Sequence, residues 1–327
     1  MFGLSWRFLR ESAAIAQGLR IKIYDDWRPE LDEVLENLPE QDILPHELFR
    51  LLMKLPDRKQ IIRVTERGKP VALAGVKSRG GLWEPVTHEI IPGVFFPVKE
   101  GYLSRVLPAL GLHLHVDWWK WPDPPPTARW MQQVESFTDY GMRCSDDFEA
   151  HWRKSAKFFR TVRTARDRCR GFELKVNSAN STEWIIKNWG QKWHVAQAEG
   201  QRSFVTEQLI AAEYLQKRGL NYSLLLFDGD EPVAGSNMII HRNEALGHIN
   251  YRNPKYDWHG AMTRLNEMSF WWARDMGFDA MSVGGIQDYK RRWAPECGQY
   301  MKFAVCPDIV LLGDRVSRLT GTARRDW

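Results

Sequence analysis

Long apolar runs are missing from this chain. None reaches the ~18 residues that a membrane-spanning helix needs, so no helical span is expected. The opening residues carry Arg7, Arg10 and Glu11 where a secretory leader would keep an uninterrupted apolar stretch, and no signal peptide is expected. Cysteine is scarce. Cys144, Cys169, Cys297 and Cys306 never fall into C-x-x-C spacing, which argues against a zinc clip or a redox pair. Reduced thiols in the cytoplasm, and no metal, are the expectation. An excess of acid is also lacking: 46 Lys and Arg against 41 Asp and Glu give a net charge of +5. That balance permits an anionic ligand such as a nucleotide without singling out nucleic acid. What the chain has in quantity is tryptophan, 16 in 327 residues, most of it expected in aromatic cores. The length is enough for two domains.

The most informative stretch runs from Tyr222 to Trp293. Tyr222–Phe227 and Val233–Ile240 are apolar runs around the turn Asp228-Gly-Asp-Glu-Pro232, which predicts a hairpin. A third strand, Ala245–Tyr251, precedes the loop Asn253–Asp257, Gly260, and a helix from Ala261 to Met276 that Gly277 stops. A short strand, Asp279–Val283, then runs into Gly284-Gly285. This order places a helix N-terminus beside strand ends, where unpaired backbone N–H groups can face a phosphate.

An earlier stretch has the same grammar. Leu19–Tyr24 predicts a first strand, helices follow from Trp27 and from Pro45, and Leu48, Leu51, Leu52 and Leu55 form the apolar face of the second. Ile61–Gly75 is then another strand–turn–strand, and Gly68-Lys-Pro-Val-Ala72 mirrors Asp230-Glu-Pro-Val-Ala234. A helix from Gly101 to Leu110 and a strand from Leu112 to Trp118 complete the parallel, which points to an internal duplication. Trp121-Pro-Asp-Pro-Pro-Pro126 is the clearest break, an extended connector.

After that connector, Ser145 is read as the cap of a long helix with Asp146 and Asp147 in its first turn. Its apolar seam is Phe148, Trp152, Ser155, Phe159, Val162, Ala165 and Cys169, and its other faces carry eight cations against Asp167. Such a face is either solvated or turned toward an anion. Two further helices are expected at Thr182–Ala198 and Thr206–Lys217, with a polar loop, Glu199–Ser203, between them.

These residues resemble a family as a set. The helix Lys154-x-x-Lys157-Phe-Phe-Arg160-x-x-Arg163-x-Ala165-Arg166, the segment Asp230–Ala234, the loop–glycine–helix Trp258-His-Gly-Ala-Met262, the helix end Ala273–Gly277, and Gly284-Gly-Ile-Gln-Asp-Tyr-Lys290-Arg-Arg-Trp293 are similar to CelD-like acyltransferases. That group belongs to the GNAT superfamily of N-acetyltransferases and is related to the FemABX transferases. The resemblance covers about residues 145 to 305. It implies an α/β fold of two tandem GNAT-like domains, each a mixed, mostly antiparallel sheet flanked by helices, at 1–140 (degenerate) and 141–327 (acyltransferase). It also implies an acyl-CoA site at Trp258, His259, Gly260, Ala261 and Met262, with acetyl-CoA or another acyl-CoA as donor and a small molecule as acceptor. The usual loop has two glycines where this chain has Gly260 alone.

Acyl transfer to an amine needs a neutral amine, a polarised carbonyl and a proton for the leaving group. Tyr289 is the candidate acid, and a core-packing role is its alternative. His248 is the candidate base and Asn250 the carbonyl polariser, with alternation placing Leu246, His248 and Asn250 on one strand face. Arg160, Arg163, Lys290 and Trp293 are the candidate substrate contacts, and Glu267 is read as a surface residue. Three function classes follow: a CoA-dependent acyltransferase, a FemABX-like transferase using aminoacyl-tRNA, and a binding module that kept the fold without the chemistry. The acceptor would be an amino sugar, an amino acid or a lipid precursor of envelope or polysaccharide chemistry.

Overall fold

The computed structural model describes residues 11, 14–41, 43–55, 59–79, 82–86, 96–110, 113–117, 131–192, 201–284 and 288–305. The proline-rich connector at 121–126, most of residues 1–20 that precede the first strand, and the 285–287 stretch after Gly284 lie outside them. The chain is mixed α/β and forms two compact units. One takes the described residues up to Ser136 together with those from Tyr300 to Val305; the other takes the described residues of Phe137–Gln299. The expected division at 140/141 put everything after it in one domain. Tyr300–Ala304 depart from that by pairing antiparallel with His113–Asp117.

In the first unit, β1 (Arg20–Tyr24), β2 (Lys59–Glu66), β3 (Lys69–Arg79) and β4 (Leu82–Pro85) form an antiparallel meander. Helices α1 (Glu30–Glu36) and α2 (His46–Lys54) lie between β1 and β2 in sequence, and α3 (Leu103–Leu110) precedes β5 (His113–Asp117). Helix α2 buries Leu48, Phe49, Leu52 and Met53, while Leu51 is 42% exposed. The buried face is thus rotated from the expected one. Met53 takes the space over Gly75, where an added Cβ would lie 2.0 Å from its sulfur.

In the second unit the sheet order is the later part of β6 (Met131–Arg143), then β11 (Ala280–Ser282), β10 (Glu244–Arg252), β9 (Glu231–His241), β8 (Asn221–Asp228), β7 (Glu173–Val176). The β10–β11 pair is parallel, joined by the crossover through α8 (Ala261–Asp275). Leu224, Leu226, Ala234, Met238, Ile240 and Ala245 face the helices α4 (Phe148–Arg153), α5 (Ala156–Arg168) and α8. Leu225 and Ile249 face the other way, onto α6 (Ser181–Lys192) and α7 (Gln201–Gln216). Helix α7 begins at Gln201, so part of the expected Glu199–Ser203 loop is helical.

The expected long basic helix is two helices. Asp147, not Ser145, caps α4 by accepting from Ala150 N at 3.0 Å. Ser155 then caps α5 by accepting from Phe158 N. The restart shifts the seam, so Phe158 is buried where Phe159 was expected, alongside Phe148, Trp152, Val162, Ala165 and Cys169.

The two hairpins, β2–β3 and β8–β9, share their irregularity. In the first, Thr65 pairs with Pro70 and Val64 with Ala72, leaving Val71 as the extra residue. In the second, Phe227 pairs with Pro232 and Leu226 with Ala234, leaving Val233. Each proline, unable to donate to the ladder, sits next to a one-residue bulge whose valine is buried. The repeat visible in sequence is therefore also a repeat in register.

Candidate functional site

Helix α8 begins at Gly260, whose φ of +74° suits glycine and whose absent Cβ allows close approach of Ala165 on α5; an added one would lie 3.2 Å from that methyl. His259 N and Gly260 N donate to the carbonyls of Tyr256 and Asp257, so the loop's own amides are satisfied. No side chain caps the helix, and its first turn holds no acid. The N–H groups of its opening residues, Ala261, Met262 and Thr263, are those that intrahelical bonding leaves over. Two buried nitrogens beside them also lack a hydrogen-bond partner among the described residues: Nδ1 of His259 and Nε of Arg264. Helix polarity adds positive potential at the N–H groups of this turn. Trp258 stands outside, 70% exposed, with the Arg168 guanidinium 3.7 Å from its ring centroid and Arg168 Nη1 donating to its carbonyl.

From this helix start, β10 leads back into the sheet. Its pairing with β11 is confined to Glu244–Leu246. Beyond Leu246 a bulge intervenes, because Gly247 pairs with Met238 and Ile249 with Asn237, which leaves His248 as the extra residue. The bulge corrects the expected alternation. Leu246 and Ile249 pair with Ile239 and Asn237, while Asn250 pairs with Ser236, a step from Ala234 on the α5–α8 face. His248 points to α7, where its Nε2 lies 3.1 Å from Gln208 Oε1. His248 and Asn250 therefore sit on opposite faces and do not meet. Burial pushes the His248 pKa down to about 4, so the ring is neutral at physiological pH. With Gln208 Oε1 as acceptor, Nε2 carries the proton and Nδ1 is the acceptor.

Where β11 leaves β10, Gly284 (φ +73°) closes onto the carbonyl of Gly247, 3.0 Å from where its Cβ would stand. Lys290 Nζ lies 3.3 Å from that same point. Burial pushes the Lys290 pKa down to about 8, partly offset by the charge of Asp139. Asp139 is fully buried in β6 and accepts from Ser282 Oγ at 2.8 Å and Tyr140 N at 2.9 Å, with Cys297 Sγ 3.6 Å away. Ser282 Oγ in turn accepts from Gly284 N. The turn that aims Lys290 is thus tied to a buried carboxylate.

Tyr289, on the same 3-10 turn (Asp288–Arg292), is half exposed, so core packing does not describe it. Trp293 is the reverse case. Expected at the substrate, it is 3% exposed, edge-on to Trp152 and Phe158, and its carbonyl accepts from Trp152 Nε1. It belongs to the aromatic core. Arg160 and Arg163 are exposed on α5 and make no ion pair among the described residues. Arg166 differs: it bridges Glu149, at 2.6 Å, and Glu267. Glu267 is 1% exposed and also paired with Arg264 at 2.7 Å, which corrects its surface reading. Asp139, Ser282, Gln208 and the Glu267 network were missed in sequence. An acid at Asp139 inside the strand Phe137–Met142 was the available signal.

No protein-family model matches the sequence, and no curated protein matches it. Solved structures do. L-PGS from Bacillus licheniformis is 13% identical with a TM-score of 0.50, over 92% of this chain and 99% of that one. FemX is 10% identical with a TM-score of 0.46, over 91% and 99%. A tandem GNAT protein from the clavulanic acid biosynthesis pathway is 9% identical with a TM-score of 0.46, over 87% and 97%. The likeness to L-PGS from Bacillus licheniformis is one of fold. Among the described residues no helix is long and apolar enough to cross a membrane.

Proposed function

We propose that this protein is an acyl-CoA-dependent N-acyltransferase that moves an acyl group to an amine of a small metabolite or an envelope or polysaccharide precursor. One juxtaposition supports the reading: the uncapped, acid-free start of α8 at one end of a β10 segment that lacks its β11 partner, and the bulge at the other. From His248 to Arg252 the strand offers about 13 Å of length at ~3.3 Å per residue. An anionic head held at Ala261–Thr263 would then send its acyl arm along β10 toward the Gly247–Gly284 contact.

In this reading the amine attacks the acyl carbonyl carbon and the carbonyl electron pair moves onto oxygen. The intermediate collapses by breaking the bond to the leaving thiolate. Lys290, aimed at the Gly284 turn, supplies positive charge to the developing oxyanion. Tyr289 is the proton donor to the thiolate. His248 Nδ1 accepts the amine proton transiently, and Asn250, on the other face, serves the donor's arm instead of the reacting carbonyl. Arg160 and Arg163 lie on the acceptor's approach.

A second reading is FemABX-like transfer from aminoacyl-tRNA, favoured by the exposed Lys157, Arg160 and Arg163 of α5. Substitution at Gly260 would strain the backbone, so Thr263→Asp is the better test. A carboxylate in the first turn favours the helix and repels a phosphate. Acetyl-CoA affinity by calorimetry is expected to fall at least about tenfold with an unchanged melting temperature. Unchanged affinity would move the donor elsewhere. Binding without any transfer to a panel of amines would favour the binding module. If the donor is tRNA instead, log affinity falls steeply with log salt, and Arg160→Gln with Arg163→Gln flattens that slope by about one unit each.

A further inference from the structure

The first unit holds a second concentration of positive charge that the transfer chemistry does not use. In the β1–β2 register Arg20 stands opposite Thr65 and Lys22 opposite Arg63. Side chains at these positions share one face of the sheet. Two cations directly opposite on neighbouring strands, with Cα atoms about 5 Å apart, repel. The far end of this face is covered by α2, whose Met53 sits over Gly75, the partner of Ile61. The near end opens into a cavity of about 1180 Å³. Arg20, Lys22, Arg63 and Arg67 line it, with Glu11 as the acid among the lining residues and Ile15 at an apolar margin.

The counter-charge does not balance this group. Lys22 reaches Glu30 on α1 at 3.2 Å, an exposed pair. Counting Glu11, Glu30 and Glu66 against the four cations and Arg105, which pairs with Glu66, leaves five minus three, a surplus of two positive charges. Arg63 Nε is buried without a hydrogen-bond partner among the described residues. A desolvated guanidinium nitrogen with no acceptor is costly, and a multivalent oxyanion would remove that cost and the cross-strand repulsion together. Cations on an edge strand also guard against aggregation, and β1 is the edge of its sheet. Edge protection does not account for Arg63, which lies on the interior strand β2 and whose Nε is buried.

We propose that this cavity is a binding site for a phosphate-bearing anion of at least two negative charges, gripped by Arg63 and Lys22 and flanked by Arg20 and Arg67. It is built entirely from the first unit and does not depend on the donor site at α8. A soluble organic phosphate and the headgroup of an anionic lipid share this chemistry.

The test uses the full chain carrying Thr263→Asp, which silences the α8 helix start. Binding of inorganic pyrophosphate is measured by calorimetry, with and without Arg63→Gln, Lys22→Gln or Arg20→Gln. Binding that survives Thr263→Asp and weakens about tenfold or more with Arg63→Gln, at an unchanged melting temperature, is the expected result. Arg20→Gln gives a smaller loss and serves if Arg63→Gln misfolds. A parallel arm measures vesicles of cardiolipin, whose headgroup carries two phosphates, in phosphatidylcholine. Arg63-dependent capture of vesicles without pyrophosphate binding assigns the site to a lipid headgroup, and the reverse assigns it to a soluble phosphate. Binding of neither probe, or binding indifferent to all three substitutions, overturns the site and leaves the cations as edge guards.

Discussion

The loop that leads into α3 and the loop that leads into α8 begin alike and end differently. Each has a left-handed glycine, Gly101 at φ +75° and Gly260 at φ +74°, just before the helix. Each has a tyrosine bonded to a glutamate of its hairpin: Tyr102 donates to Glu66 at 2.6 Å, and Tyr256 to Glu231 at 2.8 Å. In the first unit the helix start is then closed by the protein itself. Tyr102 is the residue whose carbonyl begins α3, and Arg105 in its first turn pairs with Glu66 at 2.7 Å. In the second unit Tyr256 and its glutamate sit three residues or more before the helix, and Arg264 turns to the buried Glu267 instead. The first turn of α8 holds no acid and no side chain caps it. The two helix starts share their glycine and their tyrosine–glutamate bond, and differ in that Glu66 also pairs with the first turn of its own helix.

The charged networks are where this comparison breaks most visibly. Glu66 keeps 27% of its side-chain exposure and Glu267 keeps 1%. Removing a cation from a buried pair leaves an uncompensated charge at about 3 kcal/mol or more, whereas exposed pairs are worth about 1 kcal/mol or less. Arg166→Gln is therefore expected to destabilise by about 3 kcal/mol, softened where Arg264 compensates, and Arg105→Gln by under about 1 kcal/mol. Urea melts of the two variants check it. Equal losses would mean that burial does not separate the two networks.

The second expectation concerns acid. The His248 pKa is depressed to about 4 from an ordinary 6.5, so the unfolded chain binds the proton more tightly. Stability therefore rises with pH between about 4 and 6.5, and is lost as pH falls through that window. The range corresponds to roughly 3 kcal/mol. His248→Gln removes the titration and flattens the slope there. A slope unchanged in the variant would assign acid sensitivity to the carboxylates.

Much of this architecture was legible because local chemistry and tertiary context agree. Gly229, Gly260, Gly277 and Gly284 all have positive φ, and each stands at a turn or helix end marked by its glycine. The proline-valine-alanine repeat predicted two hairpins, and their register adds a shared bulge. What failed to show depends on one-residue offsets. A bulge at His248 inverts the face of everything after it, and no composition signal marks it. A helix restart at Ser155 moves the buried phenylalanine from 159 to 158. Burial was the other blind spot. Glu267 reads as surface because its two arginine partners lie 101 and 3 residues away, and Trp293 reads as a contact because an aromatic next to a Tyr-Lys pair has two possible directions.

The smallest effect is the sharpest test of the shared design, and it uses the two glycines. Any side chain at a φ near +75° costs about 1 kcal/mol through backbone strain alone. At Gly101 nothing stands within 4 Å of an added Cβ, so Gly101→Ala is expected to cost that amount and no more. At Gly260 the added carbon meets Ala165 Cβ at 3.2 Å, and Ala165 is on a helix held by Val162 and Cys169 in the core. Helix α5 must yield by a few tenths of an ångström, which raises the expected cost of Gly260→Ala to about 2 kcal/mol. Ala165→Gly on its own costs about 1 kcal/mol, because it places a glycine inside a helix. The double substitution Gly260→Ala with Ala165→Gly should therefore cost less than the sum of its two single variants by the difference between the glycines, because it returns the space while keeping the strain. Chemical denaturation of Gly101→Ala, Gly260→Ala, Ala165→Gly and the double measures all of this. If Gly101→Ala and Gly260→Ala cost the same, or if the costs of Gly260→Ala and Ala165→Gly simply add, then α5 does not press on the start of α8. The second glycine would then be there for its conformation alone, like the first.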